Sequence, residues 1–363
     1  MPYLQLEGSI NFNNLIIWSF KNNKEKFIKN NDLKLHIEKL TACYQYHNGS
    51  VLDNPAIIST NSATFSNPTN KTVAKIEVLK NILLFTSILE NNAWSFVTSD
   101  NFEVFYQRFN VGDENIATSS GAIHHISTGG YKIDEISFVK PEHINIPYKL
   151  KLHSSIINVF GDCLQDSPTN SSMSQVIQSL NPFFNSYRNG SEHSWASRIL
   201  LLIMSFELLF GETERANFRK NIQKYSTDSS IPRLISTTYD YPIYNHGKVI
   251  ATKQLSLSQI WAEEFYKLRN KIIHGITTYS DDFVFKDLLK IVKSFEPHFY
   301  IAVNFFVVCL LNKLRELGYS NVPHFAINTD SKTIPLSKNI SGIKNELFKI
   351  EDIGLYDMIK NQL

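Results

Sequence analysis

The run Tyr266-Lys267-Leu268-Arg269-Asn270-Lys271-Ile272-Ile273-His274-Gly275 gathers a guanidinium, a carboxamide and an imidazole into one short stretch. Arginine grips phosphate through a rigid fork of N–H donors, and histidine exchanges a proton near neutral pH. Those two abilities are the minimum that cutting RNA without a metal demands. The competing reading is plainer: a helix ending in polar residues, with cations favoured by the dipole at its C-terminus.

The element that must position these groups has clear punctuation. Ser256 and Gln259 have the spacing of a capping box, which starts a helix, and Gly275 is a natural stop. At about 100° per residue, Leu257, Trp261, Phe265, Leu268 and Ile272 form one apolar stripe for a core. Glu264, Lys267 and Lys271 lie on a flank expected to meet solvent. The remaining face carries Ala262, Tyr266, Arg269, Asn270, Ile273 and His274, with Glu263 its one acid. A solvated face would hold more Lys and Glu, so this one is expected to be covered by a partner. Asn270 and His274 stack one turn apart. Arg269 and His274, five apart, point about 140° away from each other on a regular helix. Either the last turn is distorted, or two copies of the helix meet and share a cleft.

Around this helix the sequence predicts a helical bundle. Helices are expected at 174–187, at 194–210 closed by Gly211, at 213–225, at 256–274 and at 283–317, the last with Pro297 as a break point. Loops are expected at 162–174 and at the stretch carrying Pro232, Pro242, Asn245 and Gly247. Residues 1–150 read as an α+β domain: short strands in the first 70 residues, a loop at 61–72, a helix at 72–91, strands at 102–106 and 135–139, and a turn at Gly129-Gly130. The organisation is thus 1–150, a helical region 151–320, and a C-terminal extension 321–363.

Composition sets outer limits. The chain of 363 residues is 43% apolar and 12% aromatic, enough for two domains with substantial cores. Charged residues make up 19%, too few and too mixed for wholesale disorder. The stretch 151–320 has 18 basic and 15 acidic residues, a net of +3, which leans toward anions without forming a dedicated nucleic-acid stripe. Cys43, Cys163 and Cys309 are far apart, fit no zinc ribbon or redox pair, and suit a reducing, cytoplasmic setting. The N-terminus lacks the basic start and apolar core of a signal peptide. The runs 199–210 and 301–311 are far short of the roughly 20 residues that span a bilayer. They read as buried helices, so no membrane partner is expected.

Arg269 followed by Asn270, three further residues, His274 and a capping glycine resembles the signature of the HEPN superfamily of helical ribonucleases. The upstream helix Arg198–Phe210 ends an apolar run in Glu207-Leu208-Leu209. Phe265-Tyr266 stands just ahead of Leu268-Arg269-Asn270. Both features are similar to the Apea-like branch found in bacterial antiviral systems. The resemblance covers about residues 172–317. It implies an all-α HEPN-like bundle after the α+β domain, and a metal-independent endoribonuclease working as a homodimer with its site at the interface. Arg269, His274 and Asn270 would be the catalytic residues. His274 would move the proton of the ribose 2′-hydroxyl or of the leaving oxygen, Arg269 would hold the scissile phosphate, and Asn270 would orient either. The dimer would form through the helix carrying Tyr266, Asn270 and Ile273, with RNA as substrate and no cofactor. The N-terminal domain would sense a trigger or bind an inhibitor. The long segment 226–254 departs from a compact bundle.

Other residues have plainer readings. Glu207 could act in the site or pair with Arg198 or Arg215; the pairing is the expectation, because a carboxylate in an apolar helix needs a partner. His124-His125 and His246 lack the neighbours of a metal site. Tyr266 reads as an interface residue rather than a catalyst. The rival function is a non-catalytic helical module that binds nucleotide, RNA or a protein partner.

Overall fold

An apolar run such as 199–210 leaves a helix few solvent-compatible directions, and the chain solves this by surrounding it. The structure, a computed structural model, describes residues 1–60 (except 30, 43, 47, 48 and 53), 69–90, 98–109, 118–122, 125–126, 152–188, 194–226, 238–245, 248–276, 283 and 298–322. The described residues fall into two units, Met1–Asp162 with Tyr187–Glu192, and Cys163–Ser186 with His193–Leu363.

In the first unit, β1 (Ser9–Phe12), β2 (Leu15–Ser19) and β3 (Ala56–Thr60) form an antiparallel sheet in that order. Phe12 pairs with Leu15 across a two-residue turn, and Asn13 takes the left-handed backbone (φ 53°) that such turns require. Between β2 and β3 lie α1 (Phe20–Phe27) and α2 (Asn31–Thr41). Then follow α3 (Asn70–Glu90), a short 3-10 turn Ser99–Phe102, and a second antiparallel sheet of β4 (Phe105–Phe109), β5 (Thr118–Ala122) and β6 (His125–Ile126). The helix expected at 72–91 is α3, with Leu79, Leu83, Leu84 and Phe85 fully buried. The strand expected at 102–106 starts later, at Phe105, because Thr98 and Asn101 form a capping box that curls Ser99–Phe102. The strand at 135–139, the Gly129-Gly130 turn and most of the loop at 61–72 lie outside the described residues.

The expected loop at 162–174 is mostly helix. It holds the end of α4 (Ser154–Asp166) and the start of α5 (Ser171–Ser186), where the Asn170 carboxamide accepts from the Ser172 and Met173 amides. In the second unit, α5 is followed by α6 (Trp195–Phe210), α7 (Arg215–Ser226), α8 (Leu257–Ile273) and α9 (His298–Glu316). Phe206 sits at their centre, with its ring centroid 5.5 Å from Phe218 of α7, 6.5 Å from Phe265 of α8 and 5.4 Å from Phe306 of α9. Phe306 stacks on Phe183 of α5 at 4.5 Å. Cys309 is fully buried, as its apolar run requires. Of the helix expected at 283–317, the described part is α9; residues 284–297 and 323–363 lie outside the described residues.

The second unit is not all-α. Between α7 and α8 runs a hairpin, β7 (Thr238–Asn245) and β8 (Lys248–Ser256), where a loop was expected. Pro242 is tolerated because a two-stranded ribbon leaves every residue at an edge. No described helix is long and apolar enough to cross a membrane.

Candidate functional site

The motif helix α8 is fixed at both ends. Ser256 Oγ accepts from the Gln259 amide (3.4 Å), and Gln259 Oε1 accepts from the Ser256 amide (3.0 Å), completing the expected capping box. At the other end, His274 is the cap residue. The Gly275 amide donates to the Ile272 carbonyl (3.1 Å), and the Ile276 amide donates to the Lys271 carbonyl (3.0 Å). This is a Schellman closure with Gly275 at φ 66°. The helix therefore stays regular through Ile273 and turns sharply just beyond His274.

Two faces of α8 are buried rather than one. Trp261, Phe265 and Leu268 face the core as expected. Ala262, Glu263 and Tyr266, placed by periodicity on an outer face, are also buried. The reason is α7. Glu263 accepts from Arg215 (2.5 Å) and Arg219 (3.1 Å), and the Tyr266 ring lies 5.5 Å from Phe218. Tyr266 is thus an internal strut and not an interface residue. The Glu264–Lys267 flank is covered in part: both side chains reach the Tyr241 hydroxyl of β7, pinning the hairpin to α8, while Lys271 on the same flank is exposed as expected. The face left open holds Arg269 and Asn270, half-buried, and Ile273 and His274, exposed.

Glu207 pairs with neither Arg198 nor Arg215. Arg198 stacks on Phe299 and donates to the Ser186 carbonyl, while Arg215 serves Glu263. Glu207 instead receives Arg269, with Nη2 at 3.2 Å from Oε1. Arg269 Nη1 donates to Asn270 Oδ1 (3.3 Å), and its guanidinium lies 5.0 Å from the Tyr266 ring centroid. The Tyr266 hydroxyl lies within reach of Glu207 Oε1 (3.3 Å) and of the Thr213 carbonyl, and its single proton serves one at a time. Burial pushes the Glu207 carboxyl above its ordinary range, against the opposing pull of Arg269 and the Tyr266 hydrogen bond.

The arrangement holds a guanidinium from three sides while using only part of it. An arginine has five N–H donors. With one on Glu207 and one on Asn270, three remain for an anion. No hydrogen bond joins Arg269 to His274, and the His274 side chain has no hydrogen-bond partner among the described residues. Sequence reasoning missed Tyr266 as the strut and Glu207 as the guanidinium's anchor. The available signal was that Glu207 stands alone in an apolar helix and must find a cation. His124 and His246 lie outside the described residues, and His125 falls in β6. Among the described residues no group of three or more His, Cys, Asp or Glu is placed to hold a metal ion. No protein-family model, curated protein or solved structure matches this chain.

Proposed function

We propose that the chain is a metal-independent endoribonuclease of the HEPN type, acting in the cytoplasm within an antiviral (abortive-infection) or toxin system. The observation that carries this reading is the anchored Arg269, with three N–H donors to spare, five residues before an exposed His274 whose side chain has no hydrogen-bond partner among the described residues. Arg269 would bind the scissile phosphate and offset charge that develops on its oxygens in the transition state. His274 would take the proton of the ribose 2′-hydroxyl as that oxygen attacks phosphorus, or return one to the departing 5′-oxygen. The products are a 2′,3′-cyclic phosphate and a 5′-hydroxyl. DNA, which lacks the 2′-hydroxyl, is spared.

A site completed by a second copy is supported by what flanks it. One turn from Glu207, Met204 is 50% exposed, and one turn from Arg269, Ile273 is 51% exposed. Apolar side chains beside a polar cluster suit a covered face. The first unit would carry the trigger or restraint.

One observation favours a second reading. Arg269 already has its counter-ion in Glu207, which is how a purely structural pair looks. In that case the unit is a non-catalytic module for nucleotide, RNA or a protein partner, and His274 only caps α8. Incubating labelled RNA in EDTA with wild type, Arg269→Ala and His274→Ala separates the two. Cleavage by wild type that is lost in both folded variants supports the nuclease. Undiminished cleavage by His274→Ala refutes the mechanism.

A further inference from the structure

A concentrated run of positive charge lies in the first unit, outside the motif helix. Residues 21–39 contain six lysines (Lys21, Lys24, Lys26, Lys29, Lys34 and Lys39) against Glu25, Asp32 and Glu38. These 19 residues carry a net of +3, the same excess that the 170 residues 151–320 carry.

The structure makes this run a platform. Trp18 stacks on Phe27 at 5.0 Å and packs with Phe20, Ile28, Leu33 and Ile37, so α1 and α2 turn their apolar sides to one cluster. Two ion pairs clasp the segment: Lys24 to Glu38 at 2.5 Å, and Lys34 to Glu25. The clasp engages both glutamates. Lys21, Lys26 (its ammonium 5.0 Å from the Phe27 ring centroid), Lys29 and Lys39 are exposed, as are the amides Asn22 and Asn31. Such a surface attracts a polyanion by releasing its condensed counterions. A lipid bilayer would need an apolar wedge among the cations. The platform offers a single strongly exposed large apolar residue, Leu35, while Trp18 and Phe20 are buried. The charge therefore suits a phosphate polymer, gripped along its backbone without base stacking.

We infer that the α1–α2 platform binds the phosphate backbone of single-stranded RNA through Lys21, Lys26, Lys29 and Lys39. The choice of RNA among phosphate polymers rests on the nuclease reading above. Binding here is independent of sequence and sensitive to salt.

The test uses full-length protein and a fluorescent 2′-O-methyl RNA, which cannot be cleaved because its 2′-oxygens are blocked. Anisotropy is followed across a salt series for wild type, for the quadruple Lys21→Gln/Lys26→Gln/Lys29→Gln/Lys39→Gln variant, and for Arg269→Ala. The quadruple variant is expected to lose at least about tenfold in affinity, and its slope of log K against log salt to fall by about 3 (roughly 0.7 for each of four phosphate contacts). Arg269→Ala is expected to lower the slope by no more than about 1. Should the quadruple variant misfold by circular dichroism, Lys26→Gln/Lys29→Gln is read instead, with half the slope change. Wild-type affinity and slope in a folded lysine variant overturn the proposal, and so does wild-type binding to phosphatidylserine vesicles but not to RNA. Lysine-dependent binding without cleavage of unmodified RNA keeps the platform and removes the nuclease. Cleavage with lysine-independent binding does the reverse.

Discussion

Arg269 serves two masters, and their demands can be separated. Its charge neutralises Glu207, whose side chain is only 13% exposed. Removing the guanidinium strands a carboxylate in a poorly solvated site, so Arg269→Ala is expected to cost about 2 kcal/mol in urea unfolding. Loss of activity in that variant alone is then ambiguous. The double variant Glu207→Gln/Arg269→Ala resolves it, because a neutral amide needs no counter-ion. Its stability is expected to recover by more than half. In the nuclease reading RNA cleavage stays absent after that recovery; in the structural reading function returns with the fold. Glu207 also sets a pH dependence. Its folded pKa lies above 4.5, so the folded state holds the proton more tightly than the unfolded chain. The stabilisation from the protonated form is complete below about pH 4.5 and is lost as pH rises through the folded pKa. Glu207→Gln is expected to flatten wild type's decline in unfolding free energy over that window; identical curves would contradict the assignment.

The two helix ends that frame the site share one device. Gly211 after α6 and Gly275 after α8 both hold left-handed backbone, at φ 68° and 66°. A Cβ at Gly275 meets nothing within 4 Å, so Gly275→Ala isolates backbone strain and is expected to cost about 1 kcal/mol. A Cβ at Gly211 falls 2.7 Å from Gln175 Nε2, the far end of a flexible side chain that can swing aside, so Gly211→Ala is expected to cost about as much. Thermal unfolding of both variants checks the match. A third element contact, between the ends of α7 and α9, is read by acid. Burial would raise the Glu316 carboxyl, but hydrogen bonds from Lys224 (2.6 Å) and Tyr225 (2.5 Å) and the nearby Lys313 outweigh it and set about 2. A depressed pKa stabilises above about 4.5 and is lost as pH falls through about 2. Glu316 is 43% exposed, so screening limits Glu316→Gln to roughly 1 kcal/mol at neutral pH, with shallower acid unfolding. These capped ends were legible because caps are local: Ser256, Gln259, Gly211 and Gly275 announce themselves in sequence. The hairpin was not, since Pro242 reads as a loop signal and only pairing with residues 248–256 makes it a strand. Nor was the burial of Tyr266 and Glu263, which depends on α7 lying against a second face of α8.

At the scale of the whole molecule the question is whether one copy suffices. On the regular helix that α8 forms, Arg269 and His274 point about 140° apart, and the Schellman turn begins only beyond His274. One chain therefore presents the two groups without joining them. In the proposed twofold assembly the Arg269 of one copy would meet the His274 of the other, with the exposed Met204 and Ile273 covered by the contact. Met204→Lys/Ile273→Lys places like charges at that face, and it is expected to give monomers by light scattering at micromolar concentration, with cleavage lost and thermal unfolding near wild type. A fully active monomer would end the shared-site geometry. Mixing is sharper still. In a heterodimer of Arg269→Ala with His274→Ala, one composite site loses both groups and the other keeps both. Random pairing makes half the dimers mixed, each with one intact site of two, so roughly a quarter of wild-type cleavage returns from two inactive proteins. If each copy instead worked alone, every site in the mixture would lack one group and no activity would return.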